Sequence, residues 1–242
     1  MNIEFIKTPY TTSPSMTRNN GEVFIRSPRK FYISEKQKEL DTWGKSLYGT
    51  TEIAKDQGLV SKLAEFCGFK DTNDIKEVAL QLEEDIAIIH QGILSSICFC
   101  FPSNWRPSER LGLSLSGLHD PVADGDKLIK ASPRISNLMQ KQSILRWIWT
   151  VTTSPSLSNY PDYKRLELTG IDSLFLRVET QTTTPLTEES SAFFVRIDIR
   201  PLKEVGSKKI LESINSMSED VLEYKNLKEI KNFLNESNQW FN

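Results

Sequence analysis

The sequence predicts an α+β fold, an antiparallel sheet with helices before and after it. Three observations carry that prediction: helix-period stretches in the first 90 residues, a middle block of short β-branched and aromatic runs, and a helical tail after Pro201. Short connections between successive strands favour antiparallel pairing, because parallel neighbours need a long crossover.

Residues 1–33 are rich in Thr, Ser, Pro and Asn without sustained periodicity, and read as an irregular arm with a short strand around Val23 to Ile25. Residues 34–242 read as one domain. Two helical stretches follow the arm, 35–48 and 50–67, the second broken near Gly58. A further helix is expected from Asp74 to His90, capped by Asn73 or Asp74, with Ile75, Val78, Ala79, Leu82, Ile86 and Ile89 on one stripe. From Ser95 the grammar changes. Ile97–Phe101 is a short β-favouring run stopped by Pro102, and Leu145–Thr152 is a strand of aromatic and branched residues. Arg165–Leu168 reads as a short strand before the turn at Gly170. Leu174–Thr183 alternates, with Leu174, Leu176 and Val178 on one face and Phe175, Arg177, Glu179 and Gln181 on the other. Phe194–Arg200 alternates in the same way, and a long helical stretch is expected over 207–235.

Composition narrows the function classes. Hydrophobic residues at 38% and charged residues at 26% are ordinary for a globular protein. A net charge of −2 supplies no field for nucleic acid or an anionic membrane, and the cluster Arg26, Arg29, Lys30 reads as solvated surface. Three cysteines, Cys67, Cys98 and Cys100, fit a reducing compartment better than a disulfide scaffold. No signal peptide opens the sequence and no run approaches the ~18 apolar residues of a membrane span. A cytoplasmic protein is the expectation.

Several familiar sites are missing at the level of motif. There is no phosphate loop of the G-x-x-x-x-G-K type and no G-x-G-x-x-G, and Gly112–Gly117 misses a nucleophile elbow by one place. Cys98 and Cys100 share a strand face, but a zinc site needs about four ligands, so a buried pair of small apolar thiols is the simpler account. The two histidines differ. His90 ends the expected helix and reads as a cap or core-edge residue. His119 lies in Leu118-His119-Asp120-Pro121-Val122, a proline-stiffened loop, where it serves either as an axial ligand or acid–base group or as a structural residue. The face carrying Arg177, Glu179 and Gln181 is either a solvated outer face or a polar ladder over a ligand. Arg146, beside Trp147, Ile148 and Trp149, needs a partner if buried.

Taken in order, Glu83-Glu84-Asp85, Cys100-Phe101-Pro102-Ser103-Asn104-Trp105, Glu109-Arg110-Leu111-Gly112 and Leu118–Val122 resemble the core of the haem-dependent oxidative N-demethylase-like family. Arg146–Trp149, Arg177–Thr182 and Phe194–Ile197 are similar to its following strands, so the resemblance spans roughly residues 75–202. It implies a PAS-like antiparallel sheet with flanking helices that binds one haem b (heme b). His119 would then be the axial iron ligand, with Arg146, Arg177 and Gln181 as cofactor contacts. Arg177 would pair with a propionate or substrate carboxylate, and Glu179 would hold a cationic amine or relay protons. Trp105 is expected to pack the turn. The implied reaction is oxidative N-demethylation of a small secondary amine by O2, with electrons from NADPH through the FMN and iron–sulfur centres of a separate reductase partner. One departure stands out: Thr180 occupies a position where the family carries arginine, and loss of that cation is expected to alter substrate or turnover. The rival expectation is a non-catalytic haem or small-ligand sensor or binding module of PAS-like fold.

Overall fold

The computed structural model describes residues 3–12, 15–119, 123, 125–206 and 208–236. It is an α+β fold, built on one seven-stranded, wholly antiparallel sheet. The strands are β1 (Thr17–Arg18), β2 (Tyr48–Thr50), β3 (Asp85–His90), β4 (Ile93–Cys98), β5 (Ile144–Thr152), β6 (Phe175–Thr187) and β7 (Ser190–Pro201), in spatial order β1-β5-β6-β7-β3-β4-β2. The helices are α1 (Lys30–Trp43), α2 (Glu52–Asp56), α3 (Leu59–Cys67), α4 (Ile75–Ala79), α5 (Leu115–His119), α6 (Asp126–Met139), α7 (Leu202–Val205), α8 (Lys208–Asn215), α9 (Glu219–Tyr224) and α10 (Lys228–Glu236).

The expected helix over Asp74–His90 is only half right. Asp74 does cap a helix, accepting the Lys76 amide at 2.8 Å, but α4 ends at Ala79 and Asp85–His90 is a strand. All six residues of β3 are buried, because it sits between β4 and β7 with both faces covered. A strand buried on two faces is apolar throughout, so its sequence loses the alternation that marks half-buried strands. The Ile86, Ile88 and Ile89 side chains, branched at Cβ, favour that outcome. A two-residue turn joins β3 to β4: Gln91 and Gly92 have φ of 49° and 79°, the positive pair a tight hairpin requires.

Other boundaries moved for similar reasons. The first helix runs Lys30–Trp43, and Tyr48–Thr50 is an edge strand paired with β4. The break at Gly58 is present, in left-handed backbone between α2 and α3. No strand forms at Val23–Ile25 or Arg165–Leu168; the arm pairs instead through Thr17–Arg18 against the start of β5. The stretch after Pro201 is divided among α7, α8, α9 and α10, and Ser207 lies outside the described residues. Helix α6, with Pro133 inside it, was not anticipated from the sequence.

Two apolar clusters flank the sheet. One joins α1, α3 and α4 to β3, β4 and β7. The other packs α8, α9 and α10 on Trp149, Val151, Leu176 and Val178, one face of β5 and β6. Register sets the opposite face of those strands: Arg146 is level with Gln181, Ile148 with Glu179 and Thr150 with Arg177. That polar face looks into a cavity. Among the described residues, no helix is long and apolar enough to cross a membrane.

Candidate functional site

The cavity encloses about 920 Å³, towards the upper end of the range for ligand sites. The β5–β6 polar face forms its floor, with the 99–105 turn, the end of α5, the 154–166 loop and the N-terminal arm around it. Beyond Ile144–Leu145, where β1 pairs, the outer edge of β5 has no partner strand among the described residues. The cavity laps around that edge to Trp147 and Trp149, against which Phe5 and Tyr10 pack. The arm expected to be irregular is therefore a wall of the site.

His119 lines the cavity as the last residue of α5, not as part of a loop; Asp120, Pro121 and Val122 lie outside the described residues. Its Nδ1 is 2.6 Å from the Leu115 carbonyl oxygen. A carbonyl only accepts, so Nδ1 carries the proton and, in the neutral ring, the Nε2 lone pair remains for a ligand. Burial pushes the His119 pKa down, and nearby Arg146 adds to that, while the Leu115 contact opposes it. The neutral, metal-binding form is thus the favoured one.

The polar ladder turns inward and is not a solvated face. Arg177 is 1% exposed and donates to the carbonyls of Phe101 (2.9 Å) and Leu157 and to Ser103 Oγ (3.1 Å). Both of its terminal nitrogens are thus held by the turn and loop, while its buried Nε has no hydrogen-bond partner among the described residues. Glu179 accepts from Ser103 Oγ at 2.5 Å and from Gln181 Nε2 at 2.9 Å, which fixes the carboxylate at the cavity floor. Arg146 and Arg177 each have a buried Nε without a hydrogen-bond partner among the described residues, but only Arg177 has its terminal nitrogens held by backbone carbonyls. Burial lowers the Arg146 pKa, partly offset by attraction to Glu179 and Tyr10.

The motifs quoted above resolve into a supporting chain of contacts. Asp85 accepts the amides of Cys100 (3.0 Å) and Phe101 (2.7 Å) and faces buried Lys36 at 3.6 Å. It thereby holds the turn whose Phe101 carbonyl and Ser103 hydroxyl engage Arg177, and Ser103 in turn engages Glu179. Glu83 holds Arg29 through two side-chain contacts, and Glu84 accepts the Ile25 amide, so the rest of the acidic triplet anchors the arm. Trp105 packs edge-on against Phe99, 5.3 Å between centroids, and also borders the cavity. Thr180 does not line the cavity: strand alternation turns it to the sheet face opposite Glu179 and Gln181. Its departure from the family pattern therefore removes no cation from the site. His90 is no helix cap; it is a buried strand residue bonded to Ser190 Oγ at 2.9 Å. Sequence reasoning missed Tyr10 and Lys225, which enter from the two ends of the chain; neither belongs to a local motif.

A family model described as "Haem-dependent oxidative N-demethylase, alpha subunit-like" matches residues 28–234. No curated protein matches the chain.

Proposed function

This chain belongs to the haem-dependent oxidative N-demethylase, alpha subunit-like family, and on that premise we propose that the cavity holds a b-type haem and oxidatively demethylates a small secondary amine. The observation that carries the reading is the coincidence, in one large cavity, of a histidine with its Nε2 lone pair available and a half-buried arginine, Arg146, whose Nε is buried and unpartnered among the described residues. An imidazole donor and a cation for a propionate are what such a cofactor asks of a protein. The residues present fit the group.

In this reading His119 holds the iron through Nε2, its ring fixed by the Leu115 carbonyl. Arg146 binds a propionate. Gln181 and Ser103 orient Glu179, which draws in a cationic secondary ammonium and accepts its proton, leaving the neutral amine. Arg177 acts as a positioning residue, keeping Ser103 and the 99–105 turn in place beneath Glu179. The aromatic walls at Phe99, Trp105 and Trp147 exclude water and strengthen the charge interactions inside. When bound, haem supplies the oxygen-activating redox centre. O2 is the oxidant, and electrons come from a reductase partner carrying the flavin and iron–sulfur centres that accept them from NADPH. A PAS-like arrangement of the sheet and a cytoplasmic setting belong to the same proposal.

Titration of the purified chain with haemin, followed in the visible region, tests the reading. Wild type is expected to give a stoichiometric Soret band that His119→Ala abolishes or shifts. Absence of stoichiometric binding would overturn it. Haem binding without formaldehyde release from an N-methylated secondary amine, given O2 and a reductant, would favour the non-catalytic binding module instead.

A further inference from the structure

One half-buried cation at the cavity, Lys225, has no role in the proposed chemistry. Lys225 follows α9 directly and reaches the outer edge of β5, where its Nζ donates to the Trp149 carbonyl at 2.9 Å and lies 5.5 Å from the Tyr10 ring centroid. An ammonium has three N–H donors, and among the described residues Trp149 O is its one hydrogen-bond acceptor. The side chain borders the same cavity as Arg146, whose buried Nε has no hydrogen-bond partner among the described residues.

Lys225 holds the Trp149 carbonyl, three residues along β5 from Arg146, and each cation disfavours the other's charge. Arg146 and burial both depress the Lys225 pKa, burial more strongly, and it falls to about 8 even though Glu179 pulls the other way. Glu179 does not discharge the pair. Its oxygens are taken by Ser103 and Gln181, and among the described residues it forms no ion pair with Arg146 or Lys225. Around the cavity, lysines and arginines outnumber the carboxylates, which among the described residues are Glu39 and Glu179. Keeping two like charges half-desolvated and unpaired is costly unless an anion joins them.

We propose that Arg146 and Lys225 together form a carboxylate-binding site at the β5 edge of the cavity. The proposal rests on this cavity being the ligand pocket. The carboxylate comes either from a propionate of the cofactor or from a free carboxylate-bearing small molecule bound beside it. The site draws on distant parts of the chain: Arg146 comes from the sheet, Lys225 from the C-terminal helices, and Tyr10 closes over them from the N-terminal arm.

The test compares the full-length wild type with Lys225→Met, Arg146→Met and Lys225→Arg. Each is titrated with haemin and haemin dimethyl ester by visible spectroscopy, and with succinate by calorimetry, with and without haemin. If the cofactor supplies the carboxylate, each Met variant binds haemin at least tenfold more weakly, while the ester, lacking free carboxylates, binds all four proteins alike. If a small molecule supplies it, haemin affinities are equal and succinate binds wild type but neither Met variant. Lys225→Arg keeps wild-type affinity in either case, separating charge from folding. Met variants that bind both probes as wild type does would overturn the proposal, as would wild type binding neither. Wild type that rejects haemin yet binds succinate through these two residues would sink the haem reading and leave this site standing.

Discussion

Arg177 and Arg146 lie two register steps apart on neighbouring strands, and their surroundings give them different work. Arg177 is fully buried and its terminal nitrogens donate to the carbonyls of Phe101 and Leu157, whereas Arg146 makes no such backbone contact among the described residues, although each leaves its Nε unpaired. Removing a donor from a buried acceptor costs about 1–3 kcal/mol for each acceptor left unmet. Arg177→Met strands two carbonyls, so it is expected to lower unfolding stability by about 3 kcal/mol or more in a urea titration. A loss below ~1 kcal/mol would show that Arg177 does not hold the turn. The sequence placed Arg177 on a polar strand face and Arg146 in an aromatic strand where a buried charge needs a partner, but did not distinguish a guanidinium held by backbone carbonyls from one left to a ligand. Those carbonyls belong to residues 101 and 157, distant from 177 in sequence.

At the scale of elements, the arm and the site are joined through the acidic triplet that precedes β3. Glu83 takes Arg29 in a two-pronged contact at 2.8 and 2.7 Å and also accepts the Arg29 amide, which seats the start of α1. Burial alone would raise the Glu83 pKa, but the hydrogen bonds and charge of Arg29 outweigh it and hold the carboxyl below its usual value. A depressed folded-state pKa contributes stability that is present above the unfolded value, about 4.3, and is lost as pH falls through the folded one. Wild type is therefore expected to exceed Glu83→Gln in Tm at neutral pH and to converge with it below about pH 4. Curves that stay parallel throughout would assign the contact no role in seating the arm. The Arg29 side chain is 57% exposed, so solvent screens this pair and a modest gap is expected.

The whole molecule separates stability from chemistry across the thickness of the sheet. One face of β5 and β6 is sealed by α8, α9 and α10, and the other floors the cavity. Ile214, on α8, is fully buried in the sealed layer and does not border the cavity. Ile214→Ala is expected to cost about 2–5 kcal/mol in stability through lost burial and the void left behind. Its affinity for haemin should match wild type wherever it is folded. A weaker affinity in the folded variant would show that the two faces are coupled.

Local pattern marked β5 by its aromatic and branched residues, and β6 and β7 by alternating sequence. It also determined the break at Gly58, the polar rank of Arg177, Glu179 and Gln181, and, through motif order, the family and the suggestion of His119. Tertiary structure decided the rest. Strand β3 lost its alternation by being covered on both sides, and α6 carries Pro133, a residue that argues against a helix when read locally. The acidic triplet became structural because backbone amides and Arg29 arrive to meet it. Thr180 became irrelevant to the cavity because the pleat turns it away. The cavity itself gathers residues from 5 to 226, and a side chain's chemistry depends on which groups fold against it, which local pattern does not encode.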